Sequence, residues 1–458
     1  MNIRPTHCVP DAHPDHDMTA QSPAQHLYTG TTPAIRANPY LAQSMWQDWS
    51  EGAIHSAQDI YDTSGAMLWA KSQALDAELM SRLVERDLRQ PIELCVIAQD
   101  PVKEAELVDI LQQLCASSPA LNAAINPHRK AVIEVLQGLT LTPQELLLIS
   151  LLRQRKREYL AHSVAVTAIA LTIAVELEMD RRLLFALAHA GLLHDVGRLY
   201  LPPEPAADEK ESAYYQHPMV SALAAVELGK MTPEVGHLIA CSHERLDGSG
   251  FPRQLQEDQI PPRARILLFA EAICRALLNP SLGLLRASVS ARLVAREFDS
   301  HMTNWIGAIA RSEQNQNPDR PMPTQATTIG RRLRQLHAQL GRAVVLLSLT
   351  IGESLTAREA AALWLQRKIA PLQYALRASG VEDALAMGLH LEPEGAVEAA
   401  ELEALLAEIL HRLAHFARYV DWQRNEDEFL SSSTMARELL KILQSCASIL
   451  HKESPSCP

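Results

Sequence analysis

The sequence predicts a mainly α protein: a central all-α domain, a small α+β module before it and a helical bundle after it. Apolar residues recur at helical spacing across most of residues 142–312 and again beyond 327. Alternation suited to strands is confined to short stretches between residues 59 and 96, and helix-start signatures recur through the apolar stretches. With 458 residues the chain is too long for one compact core and points to roughly three domains.

Residues 1–45 are polar and proline-rich without periodicity, which predicts an unstructured tail. Its His13, Asp15, His16 and Asp17 are metal-binding side chain types, but an unfolded segment fixes no coordination geometry. Residues 46–140 read as the α+β module, with a packing or docking role. There Asp59–Tyr61 and Met67–Ala70 flank the turn Asp62-Thr63-Ser64-Gly65 as a β-hairpin, glycine supplying the positive φ. Leu79, Leu83 and Val84 mark one face of a helix that Pro91 is expected to end, and Ile92, Leu94 and Val96 alternate as a strand.

The central domain spans 141–312. It opens on a capping box, with Thr142 as cap, Pro143 in the first helical position and Glu145 reaching back. Asp180 caps a helix that ends at His194-Asp195, Thr232-Pro233-Glu234 opens one that ends at Ser242-His243, and Pro261-Pro262 starts one carrying Glu271. The hydrophilic run Ser312–Pro321 has linker composition, giving a linker over 313–326 and a bundle over 327–458. In the bundle Leu333, Leu336, Leu340, Val344 and Leu347 keep helical spacing, Thr356 and Glu359 form a second capping box, and two further helices fall near 396–422 and 432–451.

A net charge of −12 opposes extended contact with a phosphate backbone, and 5% aromatic content leaves few platforms for stacking bases, so a nucleic-acid polymer is not expected as a partner. The seven scattered cysteines lack C-x-x-C spacing and suit reduced thiols. The first residues lack the pattern of a signal peptide, and no run of about eighteen apolar residues occurs. Together these features predict a cytoplasmic protein.

The chemistry is carried by imidazoles and carboxylates at helix ends. His194-Asp195 closes an apolar helix, where a buried polar pair needs a metal or a partner. His162, His217, His243 and Glu271 add ligand types suited to a hydrolytic metal centre. Glu158 lies one helical turn before His162 on the same face. These residues, with the loop Gly248-Ser249-Gly250-Phe251-Pro252, resemble the HD-GYP branch of the HD phosphohydrolase superfamily, over roughly residues 145–312.

The resemblance implies a bacterial signalling phosphodiesterase that opens cyclic di-GMP. It implies two divalent ions, iron or manganese, held by His162, His194, Asp195, His217, His243 and Glu271, with Asp195 bridging them and Glu158 a candidate for a third ion. Asp195 and Arg198 are the implied catalytic residues, and Arg198, Arg265, Gly250 and Phe251 the implied substrate contacts; Phe298-Asp299 also matches. The chain departs from the family at Ser242, where a histidine is usual, at Glu271 and Cys274, where aspartates are usual, at Arg198 for lysine and at Phe251 for tyrosine. A basic, aromatic motif is missing from Leu277–Ser281. These departures support an alternative, a degenerate domain that binds a nucleotide or a signalling protein as a scaffold. A hydrolase for another phosphoester is a third reading, because the metal site alone does not choose a substrate. His189 reads as structural, as do His411 and His415, an i,i+4 pair with no third ligand in view. The bundle also offers a surface for a homodimer.

Overall fold

A computed structural model describes residues 36–47, 53–202, 214–279, 283–316, 326–349, 357–378, 396–426, 434–447 and 449. Its secondary structure is dominated by helices, with only two small antiparallel strand pairs, so the mainly α expectation holds.

Part of the stretch expected to be an unstructured tail is structured among the described residues. Pro39–Gln47 forms helix α1, with Asn38 as its cap: the Asn38 Oδ1 accepts from the amides of Tyr40 and Leu41 at 2.9 and 3.1 Å, and its amide donates to the Tyr200 carbonyl. Leu41 and Met45, an i,i+4 pair, are buried in the main core. The histidine-aspartate cluster at 13–17 lies outside the described residues.

Strands β1 (Ile54–Ser56), β2 (Ile60–Tyr61) and β3 (Met67–Trp69) precede helix α2 (Ala77–Glu85) and strand β4 (Val96–Ala98). The hairpin is present, pairing Ile60 with Trp69 and Tyr61 with Met67, and Gly65 has φ +95°. The expected strand over 92–96 is displaced: Ile92–Leu94 is a 3-10 turn, and Val96–Ala98 is the strand, pairing with β1. Helix α2 ends at Glu85, before Pro91. Three helices follow: α3 (Glu104–Ser117), α4 (Pro119–Ile125) and α5 (Arg129–Gln137). Leu107, Leu121, Ile125 and Leu136 are buried in one cluster with Leu148 and Leu171, so this segment shares the central core.

The central helices are α6 (Pro143–Arg155), α7 (Arg157–Glu176), α8 (Arg181–Leu193), α9 (His217–Glu227), α10 (Pro233–Ala240), α11 (Pro262–Leu277), α12 (Gly283–Arg292) and α13 (Ser300–Gln316). The expected capping box at Thr142 and Glu145 forms in both directions, and Asp180 accepts from the Leu183 amide at 2.8 Å. Helix α7 is apolar on every face, and residues 163–174 are all buried, which makes it the axis of the core. Thr167 and Thr172 bond back to the carbonyls of Ser163 and Ala168, so their hydroxyls are satisfied. By length and composition α7 alone among the described helices passes as a membrane span, yet 72% of its apolar window is buried inside this protein.

Helix α8 returns against α7 after a short turn, which sets His162 near the start of one helix and His194 at the end of the other. Gly191 permits the contact: a Cβ there would lie 2.4 Å from the Thr167 hydroxyl and 2.9 Å from its Cα. Gly191→Ala is therefore expected to force α7 and α8 apart and destabilise the fold by about 1–3 kcal/mol, the usual cost of overpacking. Chemical denaturation measures this, and an unchanged midpoint would contradict the packing described.

Helix α13 runs to Gln316, into the stretch read as linker, because Ser312–Gln316 lacks a helix breaker before Pro318. Beyond it, α14 (Ala326–Ser348), α15 (Ala357–Ala378), α16 (Ala396–Glu426) and α17 (Thr434–Ala447) surround a second core containing Leu333, Leu336, Leu340, Leu372, Leu410 and Leu443. The capping position Thr356 lies outside the described residues. Leu285 of α12 meets Ala404 of α16, joining this core to the central one.

Candidate metal centre

The end of α8, the start of α9, the turn after α10 and the faces of α7 and α11 converge on one point. His194 Nδ1 donates to the Gly191 carbonyl at 2.8 Å, and His217 Nδ1 lies 2.5 Å from the Tyr214 carbonyl. A carbonyl only accepts, so both Nδ1 atoms carry the proton and both Nε2 lone pairs are turned to the centre. Cys274 Sγ lies 3.6 Å from His162 Nδ1 and occupies the same supporting place for the third imidazole.

Two sets of ligand atoms result, one from His162, His194 and Asp195 and the other from Asp195, His217 and His243, each gathered within 4.8 Å. Asp195 belongs to both. Its Oδ1 lies 3.2 Å from His217 Nε2 and 3.7 Å from His194 Nε2. Glu271 joins the first set, with Oε2 at 2.9 Å from His162 Nε2 and 3.3 Å from His194 Nε2. His217 Nε2 and His243 Nε2 are 3.0 Å apart.

The charges divide by side. Burial would lower the pKa of His162 and His194, but Glu271 and Asp195 hold both above the ordinary imidazole value. Burial would raise Asp195 and Glu271, but Arg198 beside the first and His162 beside the second hold both well below the carboxylate range. On the other side burial lowers His217 and drives His243 well below its usual value, so those rings are neutral ligands.

These residues fit a divalent cation. His194 Nε2, both Asp195 oxygens and Glu271 Oε2 are buried and make no well-directed hydrogen bond. Polar atoms left so in a protein interior are costly, and a cation bound by neutral nitrogen and anionic oxygen removes that cost. Ser242 is also fully buried with its hydroxyl unbonded.

Around the centre lies a cavity of about 580 Å³. His162, Asp195, His243 and Glu271 line it, while His194 and His217 are buried behind. Glu158 lines it too but lies outside both ligand sets. Arg198 is pinned, with Nε 3.0 Å from Asp195 Oδ1 and its guanidinium 5.3 and 4.8 Å from the ring centres of Tyr159 and Tyr214. Sequence reading missed both tyrosines; only the position of Tyr159, three residues before His162, signalled either of them.

The loop after His243 is packed too tightly for a side chain at Gly250, where a Cβ would lie 2.4 Å from Glu244 Cα. Glu244 is buried and accepts from the amides of Arg253 and Leu255. Phe251 lines the cavity, with its ring stacked against His243 at 4.7 Å and against His415 at 5.7 Å. Those contacts help to fix the orientation of the His243 ring. Arg265, also expected as a substrate contact, is placed differently from Arg198, Gly250 and Phe251. It lies outside the cavity lining and bonds to the carbonyls of Ile260 and Glu257, with Asp299 at 3.7 Å, so it ties the loop to the domain's end.

The bundle closes the cavity. His411 and His415, read from sequence as a structural pair with no third ligand, line it from α16, and Arg275 of α11 donates to His411 Nδ1 at 2.6 Å.

Residues 146–277 match the family model described as an HD domain. The chain is 32% identical over 111 residues to a cyclic di-GMP phosphodiesterase of Pseudomonas aeruginosa, a match covering 23% of this chain and 27% of that protein. It is 30% identical over 164 residues to the 3'3'-cGAMP-specific phosphodiesterase 1 of Vibrio cholerae, covering 31% of this chain and 37% of that protein. The matches thus span well under half the length of either relative. The protein carries an HD domain, the helical class of metal-dependent phosphohydrolases. Its ligand order, its Gly-Ser-Gly-Phe-Pro loop and these relatives make the central domain similar to the HD-GYP branch.

Proposed function

We propose that this protein is a cyclic dinucleotide phosphodiesterase of bacterial signalling, acting in the cytoplasm. The observation that carries this reading is the sharing of Asp195 by two buried sets of ligands. We assign His162, His194, Asp195 and Glu271 to one cation and Asp195, His217 and His243 to a second, with iron or manganese suited to that mixture of imidazole and carboxylate. When bound, two such ions would supply the chemistry of a water made acidic enough to give hydroxide near neutral pH and of charge offset on a phosphoryl group.

The chain's own residues do the rest. Arg198, fixed by Asp195 and the two tyrosine rings, presents a planar fork to phosphoryl oxygens. Phe251 and the bundle cover His243 and keep bulk water from its face. Arg198→Lys retains the charge but loses the fork and the stacking; a fall of about tenfold in kcat/KM with unchanged metal content is expected.

The test is metal analysis of purified protein together with hydrolysis of cyclic di-GMP and 3'3'-cGAMP after reconstitution with iron or manganese. Bound metal with hydrolysis of either dinucleotide supports the reading. Binding without turnover would favour the scaffold reading, which Ser242 and the missing basic motif after Glu271 support.

A further inference from the structure

The far wall of the cavity belongs to the bundle. Arg367 and Lys368 line it from α15, and His411, Arg412, His415 and Arg418 from α16. This wall is latched to the loop beside His243: Lys368 Nζ donates to the Gly248 carbonyl at 3.0 Å, and the Tyr215 hydroxyl to the His415 carbonyl at 3.4 Å. The bundle is therefore part of the site and not a distant appendage.

Its cations have different employments. Arg412 is held by Glu297 and Glu408 at 2.6 and 2.8 Å. Arg275, on α11, donates to His411, an imidazole whose pKa burial and the surrounding arginines push down to about 2, so that contact is a hydrogen bond to a neutral ring and not an ion pair. Arg367 has no carboxylate within 4.0 Å among the described residues. Positive charge is thus concentrated opposite the metal centre in a chain of net charge −12. The stretch Leu277–Asn279, just after α11's carboxylate, supplies none.

A cyclic dinucleotide carries two phosphodiesters on opposite sides of its ring, and a metal centre engages only the one being cleaved. We propose that Arg367 and Arg418 of the bundle, together with Arg275, bind the phosphate that is not under attack, making α15 and α16 the specificity-determining wall. This rests on the phosphodiesterase reading above and adds its second subsite.

The test uses the full chain, as wild type, Arg367→Ala, Arg367→Ala/Arg418→Ala and Arg367→Lys. Two quantities are measured: the Kd for cyclic di-GMP by calorimetry, and the ratio of kcat/KM for cyclic di-GMP to that for bis(p-nitrophenyl) phosphate, which has one phosphate. Each arginine removed is expected to weaken binding and lower the ratio roughly tenfold, with partial recovery in Arg367→Lys. Equal losses on both substrates, or no change in Kd, would overturn the subsite. A wild type that binds cyclic di-GMP without cleaving it overturns the catalytic reading alone, since the loss of affinity still reads the subsite. A wild type that neither binds nor cleaves it overturns both.

Discussion

Asp195→Asn is expected to abolish metal binding and hydrolysis together. Asparagine keeps the volume of the buried side chain, so packing against His194 and His217 survives, but it replaces one acceptor oxygen with a donor and removes the charge that both ligand sets share. The surrounding groups make the loss severe. Arg198 Nε, 3.0 Å away, and the imidazole Nε2 atoms are all arranged around an anion, and no other carboxylate belongs to both ligand sets among the described residues. Loss of the several kcal/mol that metal-assisted charge stabilisation supplies corresponds to a fall of about a thousandfold in turnover. Metal content per chain should fall in parallel, while circular dichroism shows the helices intact. Retention of metal and of activity within tenfold of wild type would remove Asp195 from the centre of the mechanism.

Much of this site was legible in the sequence because its signals are local. A His-Asp pair closing an apolar helix, a capping box at Thr142 and Glu145, and the Asp180 cap each depend on residues within one or two turns, and each forms as expected. What failed to show depends on partners distant along the chain. Helix α1 has one buried turn's worth of apolar residues, too few for periodicity to reveal, and its cap is completed by the Tyr200 carbonyl. Ile92, Leu94 and Val96 alternate as a strand should, yet Pro91 lacks an amide hydrogen and its φ of −52° suits a 3-10 turn. The stacking of Phe251 on His415 was hidden because nothing near it in sequence announces His415, and Arg265 looked available because its partners Glu257 and Asp299 carry no motif. The basic wall was hidden for the same reason. His411 and His415 formed a pair without a third ligand, and only packing of α16 against α12 turns them toward the metal centre.

Arg412→Ala is expected to be the most destabilising single change at the junction between the two cores. Its guanidinium bonds to Glu297 at 2.6 Å, to Glu408 at 2.8 Å and to the Ser290 carbonyl at 2.8 Å, and Ser290 Oγ completes the network on Glu408. Both carboxylates are buried. Removing one partner of such a group leaves uncompensated charge, at a cost of about 3–5 kcal/mol near neutral pH. The pH dependence follows from Glu408. Burial would raise its pKa, but Arg412 and the Ser290 hydroxyl hold it below the ordinary value of 4.5. A carboxyl whose folded pKa is depressed stabilises the fold above its unfolded pKa, and that contribution is lost as the pH falls through the folded value. Glu297 acts in the opposite sense: burial raises its pKa despite Arg412, so protonation relieves it as the pH falls. Both trends shrink the value of the arginine in acid. The stability difference between wild type and Arg412→Ala, read from urea midpoints, should therefore be largest near pH 7 and narrow steadily below about pH 4.5. A difference that is constant across that range would mean that Arg412 acts through packing of its alkyl chain, and that the ion network does not hold the bundle against the metal domain.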